Sequence, residues 1–267
     1  MRFLLFFAFL ILFGSLALCQ DGLDFNDPYS ESMGGISIHS SHVENPSLST
    51  LIEDRQLSLS YKNHYFTNEL NSWRSSFYSP TPWFAAGILL SWYGFEHYNS
   101  FRVGGNIGKS LSSSLAAGVG INLYSLYYTG CSERKNNLSV RIGASFTEKN
   151  LLISCWVANP FQTGFYNEYD EKEKLPVQFF AGFRLSLTEE TQWSVEVESS
   201  DFSWGKIKTG FEYRIKSFAA RCGVFGKPVV PTAGIGFFFS DFSLELSGQY
   251  HNILGVSVGC GLGWRFR

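Results

Sequence analysis

Residues 254–266 read LGVSVGCGLGWRF and alternate strictly between two kinds of side chain. Successive side chains of a β-strand point to opposite faces. One face of this strand would be apolar, with Leu254, Val256, Val258, Cys260, Leu262, Trp264 and Phe266. The other face would carry only glycine, serine and Arg265. An apolar outside and a small or polar inside are typical of the closing strand of a transmembrane β-barrel, and a buried strand of a soluble β-protein is the alternative.

The same alternation continues through a series of strand-length runs divided by turn residues, without a sustained helical period. It predicts an all-β fold, an antiparallel transmembrane β-barrel of about fourteen strands. The predicted strands are residues 56–66, 72–79, 83–96, 99–110, 114–128, 137–147, 151–158, 176–187, 192–198, 205–215, 218–225, 232–239, 242–250 and 254–266. An even number is what a bacterial barrel with both ends on one side needs.

Charged residues inside these runs fall on the face that opposes the apolar one. The predicted lumen-lining set is Arg102, Arg141, Arg184, Glu196, Glu198, Lys208, Glu212, Arg214, Arg221, Glu245 and Arg265. A charge facing lipid costs several kcal/mol, whereas charges of both signs across a lumen can pair. We therefore expect salt bridges that narrow the bore.

Aromatic residues lie near the ends of many runs, where the interfacial girdles of a membrane barrel are expected. Tyr78 and Trp156 are among them. Aromatic residues at strand ends also occur in soluble sheets.

The N-terminal part of the sequence differs from the rest. Residues 1–19 are predicted to be a signal peptide, with cleavage near Cys19/Gln20, and lipidation of Cys19 is the alternative. Residues 20–54 are polar and irregular, and Asn45-Pro46 indicates a cap before one or two helical turns. We predict a plug in the lumen over residues 20–54 and a barrel over residues 55–267. Our hypothesis is that arginines of the wall brace this plug, namely Arg141, Arg184, Arg221 and Arg265, through Asp24, Asp27 or Glu31.

Composition and motifs argue against several functional classes. A net charge of −2 and a pI near 6.2 leave no basic surface for nucleic acid. His39, His42 and Glu44 could suggest a metal site, but a solvated loop is favoured because no fourth ligand is near. His251 is interpreted as a turn histidine because no nucleophile motif accompanies it. We therefore predict no catalytic residues, no metal, no cofactor and no enzymatic activity.

A set of short motifs occurs in order along most of the chain. They are Gly34-Gly35-Ile36-Ser37-Ile38, Glu44-Asn45-Pro46, Leu57-Ser58-Leu59-Ser60-Tyr61 with Glu69-Leu70, Tyr93-Gly94-Phe95-Glu96-His97-Tyr98, Ala158-Asn159-Pro160-Phe161, Leu175-Pro176 and His251 to Gly255. In these the chain resembles the PorV/PorQ-like branch of the FadL-type outer-membrane barrels of Bacteroidetes. The resemblance implies fourteen strands and an N-terminal segment able to occupy the lumen. The motif residues it singles out are Asn45, Pro46, Asn159, Pro160, His251 and Gly255.

The resemblance also implies a location in the bacterial outer membrane, in contact with its lipid. The name-giving members serve the type IX secretion system, so an accessory role in protein secretion or surface assembly, with secretion-system proteins as partners, is the first expectation. FadL itself admits hydrophobic ligands, which makes a channel for hydrophobic or small molecules the alternative. A soluble periplasmic β-rich binding barrel is a further alternative.

Overall fold

The computed structural model describes residues 26–40, 43–129, 133–166, 172–201, 203–226 and 228–266. The predicted signal peptide, its cleavage near Cys19/Gln20, and the residues Asp24 and His42 lie outside these ranges. None of the helices in the described ranges has the length and apolar character that crossing a membrane would require.

The described chain is almost entirely β-strand. The strands are β1 (Arg55–Asn63), β2 (Asn71–Pro80), β3 (Ala85–Phe95), β4 (Tyr98–Ser110), β5 (Leu115–Tyr128), β6 (Lys135–Glu148), β7 (Leu151–Ala158), β8 (Gly164–Tyr166), β9 (Lys172–Lys174), β10 (Gln178–Ser186), β11 (Thr191–Ser200), β12 (Ser203–Ile215), β13 (Phe218–Phe225), β14 (Val230–Phe238), β15 (Phe242–His251) and β16 (Gly255–Phe266).

Fourteen of these strands close into one antiparallel barrel, which confirms the predicted fold. Each strand pairs with its neighbour in the chain, except that β8 and β9 form a separate hairpin between β7 and β10. The barrel closes where β1 pairs with β16, from Arg55 opposite Phe266 to Asn63 opposite Val258. The hairpin belongs to the longest link, residues 159–177, and we call the end of the barrel that carries it the long-loop side.

The alternation in the sequence separates the two faces of the wall. Apolar side chains of β16 are exposed on the outside, for example Leu262 at 56% and Trp264 at 42%, whereas Ser257 is fully buried on the inside. Outward residues of other strands follow the same rule, with Ile88 and Val119 exposed. An outward apolar belt around a small and polar interior is the pattern that a transmembrane barrel requires.

Two details of the sequence prediction are wrong. The first strand was expected to continue to Phe66 but ends at Asn63, because Tyr65 and Phe66 adopt left-handed backbone angles (φ 59° and 52°) and turn the chain. Tyr78 and Trp156 were expected in the interfacial girdles. Both are buried in the lumen, since they share the inward phase of their strands.

Most described residues before β1 are buried inside the barrel, and we call residues 26–40 and 43–52 the plug. The plug contains a short helix α1 (Pro28–Ser32), a 3₁₀ turn (Ser37–His39) and a 3₁₀ helix (Pro46–Leu51). Asp27 caps α1 by accepting a hydrogen bond from the Ser30 N–H at 2.8 Å. The Asn45-Pro46 sequence begins the 3₁₀ helix, as the sequence predicts.

A small apolar cluster joins the plug to the inner wall. The plug contributes Ile36, Ile38, Val43 and Leu48, and the wall contributes Tyr78 and Leu152. All six side chains are buried. Burying these groups stabilises the docked plug by the ordinary hydrophobic effect.

Candidate functional site

One carboxylate of the plug is surrounded by three arginines of the barrel wall. The Oε1 atom of Glu44 lies 2.6 Å from Nη1 of Arg74 on β2. Its Oε2 atom lies 2.8 Å from Nη2 of Arg102 on β4 and 2.6 Å from Nη1 of Arg141 on β6. We call Arg74, Arg102 and Arg141 the arginine cluster. Because charge-assisted hydrogen bonds are stronger than neutral ones, Glu44 ties three strands of the wall to the plug.

Buried amide side chains orient the arginine cluster. Asn106 accepts a hydrogen bond from Nη2 of Arg141 at 2.9 Å, and Asn122 accepts one from Nε of Arg102 at 3.2 Å. The amide group of Asn106 also donates to the backbone carbonyl of Val43 in the plug at 2.8 Å. The wall therefore holds both the guanidinium groups and the backbone beside Glu44.

The carboxylate of Glu44 stays ionised. Burial alone would raise its pKa, but Arg102, Arg74 and Arg141 outweigh burial and hold the pKa of Glu44 well below its ordinary value. Three positive groups share this single negative charge. Its removal would leave three like charges beside one another in a buried site, which is strongly unfavourable.

A second anchor lies at α1, beside strands β1 and β15. Glu31 forms an ion pair with Lys62 of β1 at 3.0 Å, and its side chain is almost fully buried. The Oγ atom of Ser247 on β15 donates a hydrogen bond to the same carboxylate at 2.8 Å. The plug is thus held from the closing seam of the barrel as well as from the arginine cluster.

A third anchor holds the 3₁₀ turn. The carboxylate of Glu196 on β11 accepts hydrogen bonds from the N–H and the hydroxyl of Ser37. Lys208 on β12 lies 2.9 Å from Glu196 and donates to the carbonyl of Gly35 at 2.9 Å. The indole N–H of Trp156 donates to the Ser37 hydroxyl at 3.0 Å. Every partner in this set is buried, so water competes little for these hydrogen bonds.

Arg221 contacts the plug through a ring rather than a carboxylate. It forms ion pairs with Glu212 on β12 and with Glu245 on β15. Its guanidinium carbon lies 4.0 Å from the ring centre of Tyr29, a cation–π contact. The charge of Arg221 is therefore balanced within the wall.

Glycines on the inward face make room for the plug backbone. A Cβ atom at Gly118 of β5 would overlap the backbone of Pro46, and one at Gly210 of β12 would overlap the backbone of Met33. Gly34 approaches the wall in the same way, and its φ of +79° is one that other residues rarely adopt. The inward positions that the sequence fills with small residues are therefore the positions against which the plug backbone packs.

The predicted lumen-lining residues occupy three kinds of position. Those buried in the lumen are Arg102, Arg141, Glu196, Lys208, Glu212, Arg221 and Glu245. Arg184 and Glu198 are half-buried, and Glu198 lies 3.1 Å from Lys208. Arg214 and Arg265 are exposed near the ends of their strands, and the guanidinium of Arg214 lies 3.9 Å from the ring centre of Phe238.

The predicted bracing partners of these arginines are corrected by the structure. Arg141 does hold the plug, but its partner is Glu44. Glu31 pairs with Lys62, and the carboxylate of Asp27 faces the backbone of α1 as its cap. Arg265 is exposed at the end of β16, away from the buried anchors. The helical fold of the plug decides which carboxylates reach the wall. The alternation of the strands contains no information about that fold.

The motif residues of the plug shape its backbone. The Asn45 side chain accepts hydrogen bonds from the N–H and hydroxyl of Ser47, at 3.0 Å and 2.9 Å. Pro46 occupies the first turn of the 3₁₀ helix, where its missing N–H costs nothing. This pair therefore places Glu44 just before a rigid turn.

The remaining motif residues lie in links on the long-loop side. Asn159 has a φ of 54° and is followed by Pro160. Its side chain accepts a hydrogen bond from the Thr163 N–H and donates one to the Leu175 carbonyl in the long link. Nδ1 of His251 accepts hydrogen bonds from backbone N–H groups two and three residues later, and Gly255 has a φ of 95°. These residues shape turns.

Sequence reasoning missed several members of the site. It treated Glu44 only as a metal candidate and as part of a motif, and it left Arg74 and Lys62 out of the lumen set. Arg74 lies two residues after the buried Ser72, and Lys62 lies two residues after the buried Ser60, so each points to the same inner face as its serine. The same alternation could therefore have identified them. Asn106 and Asn122 carry no charge and gave no signal.

His39 lies between the plug and the wall. Its Nε2 atom is 2.8 Å from the Ser194 hydroxyl, and its ring packs 5.2 Å from that of Tyr29. Within the described ranges, no group of three or more His, Cys, Asp or Glu is placed to hold a metal ion. Burial lowers the pKa of His39 well below its ordinary value, and Arg184 and Arg221 lower it further.

We expect plug docking to weaken as the pH falls below about 6.5, the ordinary pKa of histidine. The docked His39 stays neutral while the undocked one takes up a proton, so stability is lost on the acid side, by up to about tenfold in the docking equilibrium per pH unit. Protease cleavage within the plug, compared at pH 7.5 and pH 5.5, measures this. His39→Gln should flatten the pH dependence, and an equal dependence in His39→Gln would contradict the assignment.

The barrel wall is closed beside the plug. The pairing of β2 with β3 is unbroken from Asn71 opposite Gly94 to Pro80 opposite Ala85. Among the described strand pairs, the register shifts between β11 and β12, at Glu198 and Ser199. In this state the described wall offers no lateral gap between β2 and β3.

Comparisons with solved structures find this architecture in known barrels. The P. putida toluene transporter TodX aligns with a TM-score of 0.67 at 12% identity, covering 92% of this chain and 99% of that one. The fold is that of the FadL-type barrels. The Ralstonia pickettii toluene transporter TbuX aligns with a TM-score of 0.66 at 11% identity, over 91% and 98% of the two chains. A Pseudomonas aeruginosa FadL homologue aligns with a TM-score of 0.62 at 10% identity, over 92% and 99%. No protein-family model and no curated protein matches the chain.

Proposed function

We propose that this protein is an outer-membrane channel for small hydrophobic molecules, kept closed by its N-terminal plug. The observation that carries the proposal is the apolar cluster between the plug and the inner wall. Tyr78 and Leu152 of the wall pack against apolar side chains of the plug. When the plug withdraws, a hydrophobic molecule can cover the same wall residues and offset part of the lost burial. The structural likeness to toluene transporters supports this substrate class.

The proposal places the barrel in the outer membrane, with lipid around its outer belt. Exposed side chains such as Ile88 and Leu262 would face water in a soluble periplasmic barrel, and an apolar surface of this extent is rare there. The plug is held by non-covalent contacts at Glu44, Glu31 and Ser37, so it can move without breaking a strand pair. The proposed role is passage and involves no catalysis.

Uptake measurements test the channel. Cells that express the protein are expected to accumulate radiolabelled toluene several-fold faster than cells with an empty vector. In a variant that lacks residues 20–54, where the plug no longer controls access, Leu152→Asn should slow this uptake, because it puts a polar amide among the wall residues that the proposal assigns to the hydrophobic molecule. Ser154→Asn changes a buried inward residue of the same strand outside the apolar cluster and serves as the matched control. Equal uptake with and without the protein would reject the proposal.

A secretion role is the second candidate. It rests on the ordered motifs that resemble PorV and PorQ, from Gly34-Gly35 to Gly255. In that role the same plugged barrel would bind proteins of a secretion or surface-assembly machine. Affinity purification from the native outer membrane separates the two candidates, since co-purifying secretion components support this one and a bound hydrophobic ligand supports the channel.

A further inference from the structure

The outer surface of the barrel carries an apolar groove of about 510 Å³. It crosses the closing seam and the first strands, from β15 and β16 to β4. Its outward lining includes Leu59, Tyr61, Trp73, Leu90, Trp92 and Leu262. On β2 and β3 the groove lies close to the long-loop ends of the strands, at Trp73 and Trp92.

A small residue in a row of large ones explains the depth of the groove. Strand pairing places Leu262, Leu59, Ser75 and Leu90 side by side across four strands. Ser75 is the one short side chain in this row, so the surface sinks there. The rings of Tyr61 and Trp73 lie 4.5 Å apart and form one wall of the depression.

The inner face explains why the wall comes close to the plug at the same place. Gly259 and Gly261 are inward residues of β16, and the ring of Pro28 lies 3.4 Å from the Cβ position of each. The sheet can therefore approach the plug closely beneath Leu262.

We propose that this groove holds one acyl chain of a neighbouring membrane lipid as an ordered, slowly exchanging ligand. The inference rests on the membrane placement in the proposed function. The groove is continuous with the outward apolar belt, where hydrocarbon replaces water. An unfilled depression would forfeit dispersion contacts along its whole lining, and a flexible acyl chain can follow its shape. Flat parts of the belt offer a chain contact on one side, whereas this groove offers contacts along its floor and its aromatic wall.

Native mass spectrometry of the barrel released from phosphatidylcholine nanodiscs tests the proposal. The wild-type protein is expected to retain one phospholipid at collision energies that remove the others. Ser75→Leu fills the groove and should abolish this retention, and Ser75→Val is a milder substitution with the same expected direction. Ala181→Leu places the same side chain at an exposed outward position on β10 and should keep the lipid.

Equal retention by Ser75→Leu and Ala181→Leu, or no retained lipid on the wild-type protein, would overturn the proposal. Heat-modifiable gel migration reports barrel folding for each variant, and flotation with vesicles reports membrane insertion. A folded wild-type protein that fails to float would reject the membrane placement itself. A protein that floats but retains no lipid would reject only the groove site.

Discussion

Deletion of residues 20–54 is expected to raise the single-channel conductance of the barrel several-fold in planar bilayers. Eight strands enclose a space that side chains fill, whereas barrels of sixteen to eighteen strands leave an aqueous channel. A fourteen-stranded barrel whose inner face is rich in glycine and serine should therefore conduct once its plug is gone. An unchanged conductance would mean that the plug does not close the lumen.

The deletion also removes the partners of Lys62 and of the arginine cluster, so a variant with the full chain is needed. Gly118→Leu keeps every plug residue but places a side chain where the backbone of Pro46 lies. We expect it to raise conductance as well. Gly105→Leu is the matched control, because its Cβ position on the outward face of β4 has no neighbour within 4 Å. A rise in both variants would point to a general effect on the barrel.

The barrel itself could be predicted from the sequence because its physical cause is local. An outward apolar belt and a small or polar interior force a period of two along every strand, and residues 254–266 show that period without interruption. The prediction failed at the end of β1. Tyr65 and Phe66 continue the apolar sequence there, but their positive φ angles turn the backbone away from the strand. It also misjudged Trp156, since an aromatic residue near a strand end gives no sign of whether a plug will cover it.

The site could be predicted only in part. The alternation of inward and outward side chains along the strands predicted that Arg141 and Lys208 lie in the lumen, and both contact the plug there. The partner of Arg141 could not be found, since Glu44 is 97 residues away and belongs to a segment without strand periodicity. Which plug carboxylate reaches the arginines depends on the turn that Asn45 and Pro46 impose, and that is a property of the folded plug.

Glu44→Gln is expected to weaken plug docking by about 3 to 5 kcal/mol, the usual cost of removing one partner from a buried ion pair. The amide has the size of the carboxylate, but it removes the negative charge that Arg74, Arg102 and Arg141 share. Its NH₂ group would also face guanidinium donors. Faster protease cleavage within the plug and a higher open probability in planar bilayers would measure the change.

The control for this variant is Glu53→Gln, which makes the same chemical change at an exposed position between the plug and β1. It should leave both measurements unchanged. Adding Arg102→Gln to Glu44→Gln removes one of the three like charges, so the double variant should recover part of the docking that the single variant loses. If the double variant docked no better than Glu44→Gln alone, repulsion within the arginine cluster would not be what drives the plug out.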